Sequence, residues 1–530
     1  MHTSQSAAPK QTSLSRQLDY HLFTFLLIGA AFLLIYIAAW SRFPLLSFYT
    51  RPIQNLDKIT DSDVLTGLVI TGSLTLLFAG YALGAMVLHS LSRRNVFVYG
   101  AILVLPAAFV GVLLFVHPAT SIDVYDYLFR GRMLASYEAN TFVQVPRDFE
   151  EDPLFEYVAW RGAVTAYGPL WERMSWVTAR LAGESPTTSA SADALLPLLF
   201  AYKTLGAFGF LLCGAAIWGA LGVISPSQRW LGLYLWLWNP LVLWESVAAA
   251  HNDAWMALAI IIAVWALAPR HTPSAYSRVS PAIPAGGLIS LQALTLGGLI
   301  KYLTPFLGPL ALASSLRRLP TWRLRWRLIV FGGLICLGFV VAAYAQFWAG
   351  WETFRNIGAR GNLFTASWLA SFQAYLETRI GEDRSEQVAS VFGSALLLLG
   401  MLWATWRSWE APMKVAEHML WLLLWFLFVC NPWFQPWYLI WLVALAALQP
   451  WRMRMLWVVG TFCLSAMMSY AAVAFLLPVL DWERSGWAWN GLISLIIYVP
   501  PLLVLGWGFW NKRTLQPQRS PRPPHVVVPR

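Results

Sequence analysis

Runs of roughly 18 or more apolar residues, separated by polar stretches, recur along the chain from Leu22 to Trp510. Fourteen segments read as apolar helices: 21–41, 64–88, 96–116, 194–222, 230–247, 253–268, 286–300, 303–315, 328–348, 388–408, 417–430, 437–449, 456–478 and 489–510. A helix needs about 20 residues to cross a bilayer, and the fifth to eighth, eleventh and twelfth segments fall short of that. They predict tilted or half-spanning helices around a cavity, because unpaired backbone at membrane depth is tolerated only where protein or water covers it. The polar stretches are uneven. Three are long, at 42–63, 117–192 and 349–387, and shorter turns fall near 251, 302, 433 and 482. No internal repeat is visible. The pattern predicts an all-α polytopic membrane protein with one transmembrane domain over 21–510. A tail at 1–20 precedes it, and a tail at 511–530, rich in Arg and Pro, is expected to be disordered.

Composition agrees. Of 530 residues, 58% are hydrophobic and 12% charged, about half the charged share of an average soluble domain. Cys213, Cys336, Cys430 and Cys463 lie in or at the ends of apolar runs, far apart in sequence. They read as small core residues, not as a disulfide framework or a metal site. The first apolar run is long and lacks a small-residue cleavage pattern, so it is expected to stay as a span. No P-loop, dinucleotide fingerprint or metal-spaced Cys/His cluster occurs.

Charge adds direction. A net charge of +11 would suggest nucleic acid for a soluble protein, but its distribution argues for orientation in a bilayer and against a nucleic-acid partner. With the N-terminus inside, the connections at 92–95, 223–229, 269–285, 316–327, 409–416 and 450–455 and both tails fall on the cytoplasmic side. That side then holds 21 Lys+Arg against 3 Asp+Glu, and the other holds 16 against 23. Arg317, Arg318, Arg323, Arg325 and Arg327 dominate the inner excess. The expectation is a multi-pass plasma-membrane protein with both termini cytoplasmic and its polar chemistry outside.

Several ionisable residues fall at span ends on that outer side: Asp123, His251, Asp253 and Lys301, with Asn431 and Gln435 at a late turn. Such groups are costly to place at membrane depth and are functional candidates by default. Asp123 and Asp126, three apart, share one helical face. Asp123 could accept a proton, bind a cation or pair with Arg130 or Arg132. His251-Asn252-Asp253 could polarise a tight turn, with Asp253 as an N-cap, or contact phosphate, sugar or metal. Lys301 could snorkel or meet a lipid phosphate, which at membrane depth needs a counter-charge. Glu245 reads as a hydrogen-bonded intramembrane group. The 31 tryptophans read mostly as interface belts, with Trp433, Trp437 and Tyr438 also able to stack on a sugar.

The stretch Ser121-Ile122-Asp123-Val124-Tyr125-Asp126-Tyr127-Leu128-Phe129-Arg130-Gly131-Arg132 resembles the Ser-Asp-Asp-Ile-Tyr-Arg-Tyr-Leu-Trp-Asp-Gly-Arg element of multispan glycosyltransferases that use lipid-linked sugars. The nearest branch is the bacterial polyprenyl-phosphomannose-dependent mannosyltransferases of the GT-C fold. TAYGPLW (165–171), WNPLVLWESVAAAHND (238–253) and the Lys301-Tyr302-Leu303-Thr304-Pro305 break are similar to elements of the same family, and NPWFQPWYLIW (431–441) resembles its late outer turn less specifically. Ile122, Asp126 and Arg130 depart from the pattern, which has Asp, Arg and Asp there, and Asn140-Thr141-Phe142 stands where Asn-Pro-Tyr is usual. One carboxylate, not two, then precedes Val124, which weakens a two-carboxylate metal site.

The resemblance implies a GT-C-like bundle of about 12–14 transmembrane helices. It implies inverting transfer of a hexose, mannose above others, from a polyprenyl phosphate donor to a glycan or glycolipid acceptor of the cell envelope. Asp123 takes the place of the essential acid and would act as general base. Substrate contacts fall to Asp126, Tyr127, Arg132, Tyr167, His251, Asp253, Lys301 and Gln435. A divalent cation is left open. A transporter or flippase would also place charges among broken helices, but would be expected to show repeated halves. An enzyme of the same fold with another lipid-linked sugar is the further alternative.

Overall fold

Lipid offers the backbone no hydrogen-bond partner, so an apolar run can cross it only as a helix. The computed structural model describes residues 11–51, 55–90, 96–187, 191–269, 285–354, 363–480 and 486–510. The C-terminal tail, most of the 269–285 connection and the turn near 482 lie outside the described residues. All fourteen apolar segments are helical, and no β-strand forms among the described residues.

Among the described residues, nine helices are long and apolar enough to cross a membrane: Tyr20–Arg42, Val64–Ser90, Val96–Leu113, Ala192–Ile224, Trp322–Phe347, Glu382–Glu410, Pro412–Cys430, Met453–Val479 and Gly486–Trp507. The eleventh segment, expected to be too short, extends back to Pro412 and reaches that length. The others that fall short are Arg229–Leu237, Asp253–Leu267, Ala285–Gly298, Gly308–Arg318 and Leu439–Ala447.

The short helices lie at the centre. Asp253–Leu267 packs against Leu195–Ile224, Ala285–Gly298 and Leu439–Ala447, and every residue of Leu439–Ala447 is buried. A helix that is apolar all round is a buried one, and protein on all sides covers the frayed ends that lipid could not. The long helices form the rim. Trp322–Tyr344 leaves Val330, Phe331, Leu334 and Leu337 exposed, as a lipid-facing surface would.

Among the described residues, the long polar links carry helices of their own. Within 117–192 the helices Asp123–Ser136 and Pro169–Leu181 pack on each other and on Leu195–Ile224, around Leu128, Phe129, Leu154 and Leu198. Within 349–387 the Trp368–Ile380 helix packs on Glu382–Glu410 and Gly486–Trp510. These links define one loop end of the bundle. All four cysteines are free, three of them buried.

Candidate functional site

The Asp123–Ser136 helix begins where the apolar run through Val116 gives way to polar residues. Ser121 Oγ accepts the Asp123 backbone N–H at 3.3 Å. From Val124 to Ala135 every residue is buried, while Asp123 at its head is only half-buried. Buried charges need partners, and each here has one. Arg130 donates to both Asp126 oxygens, at 2.8 and 3.2 Å, and to the Ala163 carbonyl at 2.8 Å. Arg132 donates to Asp152 and Glu184, each at 2.7 Å. Neither arginine reaches Asp123, which forms no ion pair among the described residues. The Asp126–Arg130 pair spans two of the positions at which this chain departs from the quoted pattern, Asp and Arg standing where that pattern has Arg and Asp, so opposite charges four residues apart are present in either order. The Asp123 carboxyl is pushed up to about 6, first by burial and then by the Asp126 charge, with Lys301 acting in the other direction.

A second strand of the site comes from the turn after Asn239. Asn239 Oδ1 accepts the Val242 N–H at 3.1 Å, Pro240 occupies the first helical position, and the helix then widens into a π-turn at Trp244–Ala248. The His251 N–H closes the turn on the Glu245 carbonyl at 2.8 Å. Ala250 sits at φ 60°, a left-handed conformation that costs a non-glycine residue about 1–3 kcal/mol. Gly206 allows the turn to approach, since a Cβ there would lie 2.2 Å from the Ser246 carbonyl oxygen. Lys203, fully buried, donates to the carbonyls of Val116 and Val247, each at 3.0 Å, and to that of Ala248. One ammonium thus ties the start of the 117–192 link to the turn that carries His251.

The His251 ring stacks on Trp437 with centroids 3.9 Å apart. Its Nε2 lies 3.3 Å from Glu245 Oε2 and its Nδ1 3.5 Å from the Tyr127 hydroxyl. Tyr167 donates to Tyr127 at 3.1 Å, and Tyr470 donates to Glu245 Oε1 at 3.0 Å. Glu245 is therefore the hydrogen-bonded intramembrane group its position suggests, within reach of the site.

Lys301 lies in the break between Ala285–Gly298 and Gly308–Arg318. Gly168 holds TAYGPLW against this break: its N–H donates to Ile300 and the Leu170 N–H to Leu299, each at 2.9 Å. A Cβ on Gly168 would sit 2.2 Å from the Leu299 oxygen, so only glycine fits. Lys301 Nζ donates to both Asp253 oxygens at 2.9 Å, and Trp441 Nε1 donates to Asp253 Oδ1 at 2.8 Å. The ammonium also lies 4.8 Å from the Tyr438 ring centroid and 6.0 Å from that of Tyr167. Lys301 keeps 17% side-chain exposure where Asp253 has none, so the lysine is the accessible member of the pair.

Two cavities meet at Tyr470, whose hydroxyl donates to Glu245. The first, about 350 Å³, is apolar, and its lining runs from Ile35, Ala39, Val69 and Leu74 to Ala119, Thr120, Trp244 and Tyr470. The second, about 230 Å³, is lined by Asn55, Asp57, Thr365, Gln435, Ser469 and Trp489 together with Thr120, Tyr470 and apolar residues such as Ile493 and Ile497. Leu56, Thr120 and Tyr470 belong to both.

Of the residues singled out by sequence, Tyr127, Tyr167, His251, Asp253 and Lys301 are linked by these contacts, and Asp123 opens the helix that carries Tyr127. Gln435 lines the second cavity. Asn431, buried, accepts the Trp433 N–H at 3.4 Å. Asp126 and Arg132 are not brought into the cluster: both are buried in ion pairs inside the loop domain. Among the described residues no three of His, Cys, Asp and Glu group as a metal site. Sequence reasoning missed Lys203, Thr120, Tyr470 and Trp441. Lys203 had a signal, a lone lysine within an apolar span; a tyrosine or tryptophan among so many had none. It also missed the π-turns Trp244–Ala248, Phe426–Cys430 and Ala472–Leu476, a feature frequent at functional sites.

The model of one protein family, alpha-(1->6)-mannopyranosyltransferase, N-terminal domain, matches residues 26–314. No curated protein and no solved structure matches the chain. The match covers more than half of the 530 residues and takes in Asp123, the His251 turn and Lys301. This multi-pass membrane protein therefore belongs to the alpha-(1->6)-mannopyranosyltransferase family and is a glycosyltransferase.

Proposed function

We propose that the chain transfers mannose from a polyprenyl phosphate donor to a glycan or glycolipid acceptor, with inversion, at the outer face of the plasma membrane and with both termini cytoplasmic. The observation that carries this reading is a half-buried carboxylate at the head of the helix that carries Tyr127, an accessible lysine paired with a buried aspartate, and an apolar cavity whose lining residue Tyr470 is joined through Glu245 to His251. The donor's polyprenyl chain lies in the cavity between Gln11–Arg42 and Val64–Ser90. Its phosphate meets Lys301, because an anion at membrane depth needs a counter-charge.

Asp123 takes the proton of the acceptor hydroxyl as that oxygen attacks the anomeric carbon. The bond from that carbon to the phosphate oxygen breaks, and its electron pair leaves with the phosphate. Lys301 stabilises the charge that develops there, and swings from Asp253 to do so. Asp253 keeps its hydrogen bond from Trp441, so it is not left bare. His251, stacked and fully buried, is a positioning residue that holds Tyr127 against Tyr167. Arg132 and Asp126 take no part in substrate contact, being committed to their ion pairs.

The test supplies membranes, with and without the protein, with radiolabelled polyprenyl phosphomannose. Label in glycan or glycolipid with the wild type and its near-complete loss in Asp123→Asn supports the reading. Equal label in membranes lacking the protein overturns it.

A further inference from the structure

The cavity that meets the apolar one at Thr120 and Tyr470 has a different chemistry. Hydroxyls, amides and one carboxylate line it beside aromatic rings. Two of its polar atoms lack a hydrogen-bond partner: Asn55 Oδ1, an acceptor, and Trp489 Nε1, a donor. A buried polar atom without a partner is destabilising, and a sugar hydroxyl, which both donates and accepts, satisfies either kind.

The rim points the same way. Thr365, in the lining, pairs its backbone with the 432–434 turn, donating to Pro432 at 3.0 Å and accepting from Phe434 at 3.1 Å. This places Trp433 beside the cavity. Its ring lies 6.2 Å from that of Trp160, which comes from the other long link and is 43% exposed. Two tryptophans from separate loops thus form an aromatic surface next to a polar cavity, an arrangement suited to the apolar face of a sugar ring.

We infer that this cavity is the acceptor subsite, holding the saccharide whose hydroxyl is to be glycosylated, with Asn55 and Trp489 on its hydroxyls and Trp160 and Trp433 stacked on the residue further out. The inference rests on the proposed donor reading. The lipid chain and the saccharide then approach from different cavities and meet at Thr120 and Tyr470. Trp489 lies beyond the matched range 26–314 and Asn55 within it, and neither belongs to the motifs quoted above from 117–140, 165–171, 238–253, 301–305 and 431–441.

The test uses the full-length protein, radiolabelled polyprenyl phosphomannose as donor and octyl mannosyl-α-(1→6)-mannoside as acceptor probe. Asn55→Ser shortens the side chain so that Oδ1 is lost and only a hydroxyl nearer the backbone remains, and Trp489→Phe removes the indole N–H together with part of the ring. Each should raise the acceptor KM about three- to tenfold, the worth of one hydrogen bond, with donor KM within about twofold of wild type on the same scale. Trp160→Leu, at an exposed position where folding is not at stake, should raise the acceptor KM also. An unchanged acceptor KM in all three, or a rise confined to donor KM, overturns the subsite. A wild type that transfers no label fails the donor reading instead, a different result from active enzyme with unmoved variants.

Discussion

At the scale of single residues, burial separates two carboxylates three positions apart. Asp123, half-buried and without an ion pair among the described residues, is available to a substrate; Asp126 is 5% exposed and bound to Arg130. Asp123→Asn should lower transfer by about 10² or more, in the range general-base catalysis supplies, with expression and melting temperature near wild type. Asp126→Asn should act on stability, because it leaves Arg130 buried without its counter-charge, a loss of roughly 3–5 kcal/mol; thermal melting in detergent reads it. Acidity gives a second prediction. With its carboxyl pushed up to about 6, Asp123 becomes a base only as pH rises through that value, so kcat/KM should climb to a plateau above it. Lys301 favours the ionised form, so in Lys301→Gln the rising limb should move to higher pH. A limb that stays in place would mean another group titrates.

At the scale of elements, the exchanged ion pair is a testable equivalence. Asp126→Arg and Arg130→Asp should each destabilise, and the double variant, which restores opposite charges four residues apart in the reverse order, should recover most of the loss. Strict additivity of the two losses in melting experiments would show that the pair is not coupled. Lys203 joins elements instead of partners along one helix. Lys203→Met removes the tie between Val116 and the Val247–Ala248 carbonyls, so Asp123 and the His251 turn lose their fixed separation. Transfer should fall by roughly 10²-fold, the order that a misplacement of about 1 Å costs. The KM for donor should move less than kcat, and the melting temperature should drop. The aromatic and π-turn elements were invisible in the sequence for a simple reason: a π-turn depends on where one extra residue is accommodated, and the local residue types that precede it also suit an α-helix.

At the scale of the whole molecule, long helices surround short ones, and the short ones end at the site. Orientation is the prediction here. Thr187→Cys, in the 117–192 link, should react with an impermeant thiol reagent in intact cells, and Met413→Cys, in the exposed 409–416 connection, should react only after the membrane is opened. The reverse pattern would put the site on the cytoplasmic side and remove an externally placed lipid-linked donor from the mechanism.

Hydrophobic patterning by itself determined the helical class, the positions of all fourteen apolar segments and, the eleventh apart, the incomplete ones among them, because a bilayer accepts only backbone whose hydrogen bonds close within the helix. Resemblance of short motifs located Asp123, His251, Asp253 and Lys301. What residue identity could not decide was which charges face a ligand and which face each other. Asp126, Arg130 and Arg132 look as available in the sequence as Asp123 and Lys301, and the chain departs from the family pattern at two of them. The four-residue spacing permits the Asp126–Arg130 pair within one helix, but only the packing of that helix beneath Asp152, Ala163 and Glu184 buries the pair and gives Arg132 its partners. The same holds for Lys203, Tyr470 and the two cavities. Each depends on groups far apart in the chain being brought within hydrogen-bonding distance, and that is settled by how the helices stack, not by local sequence.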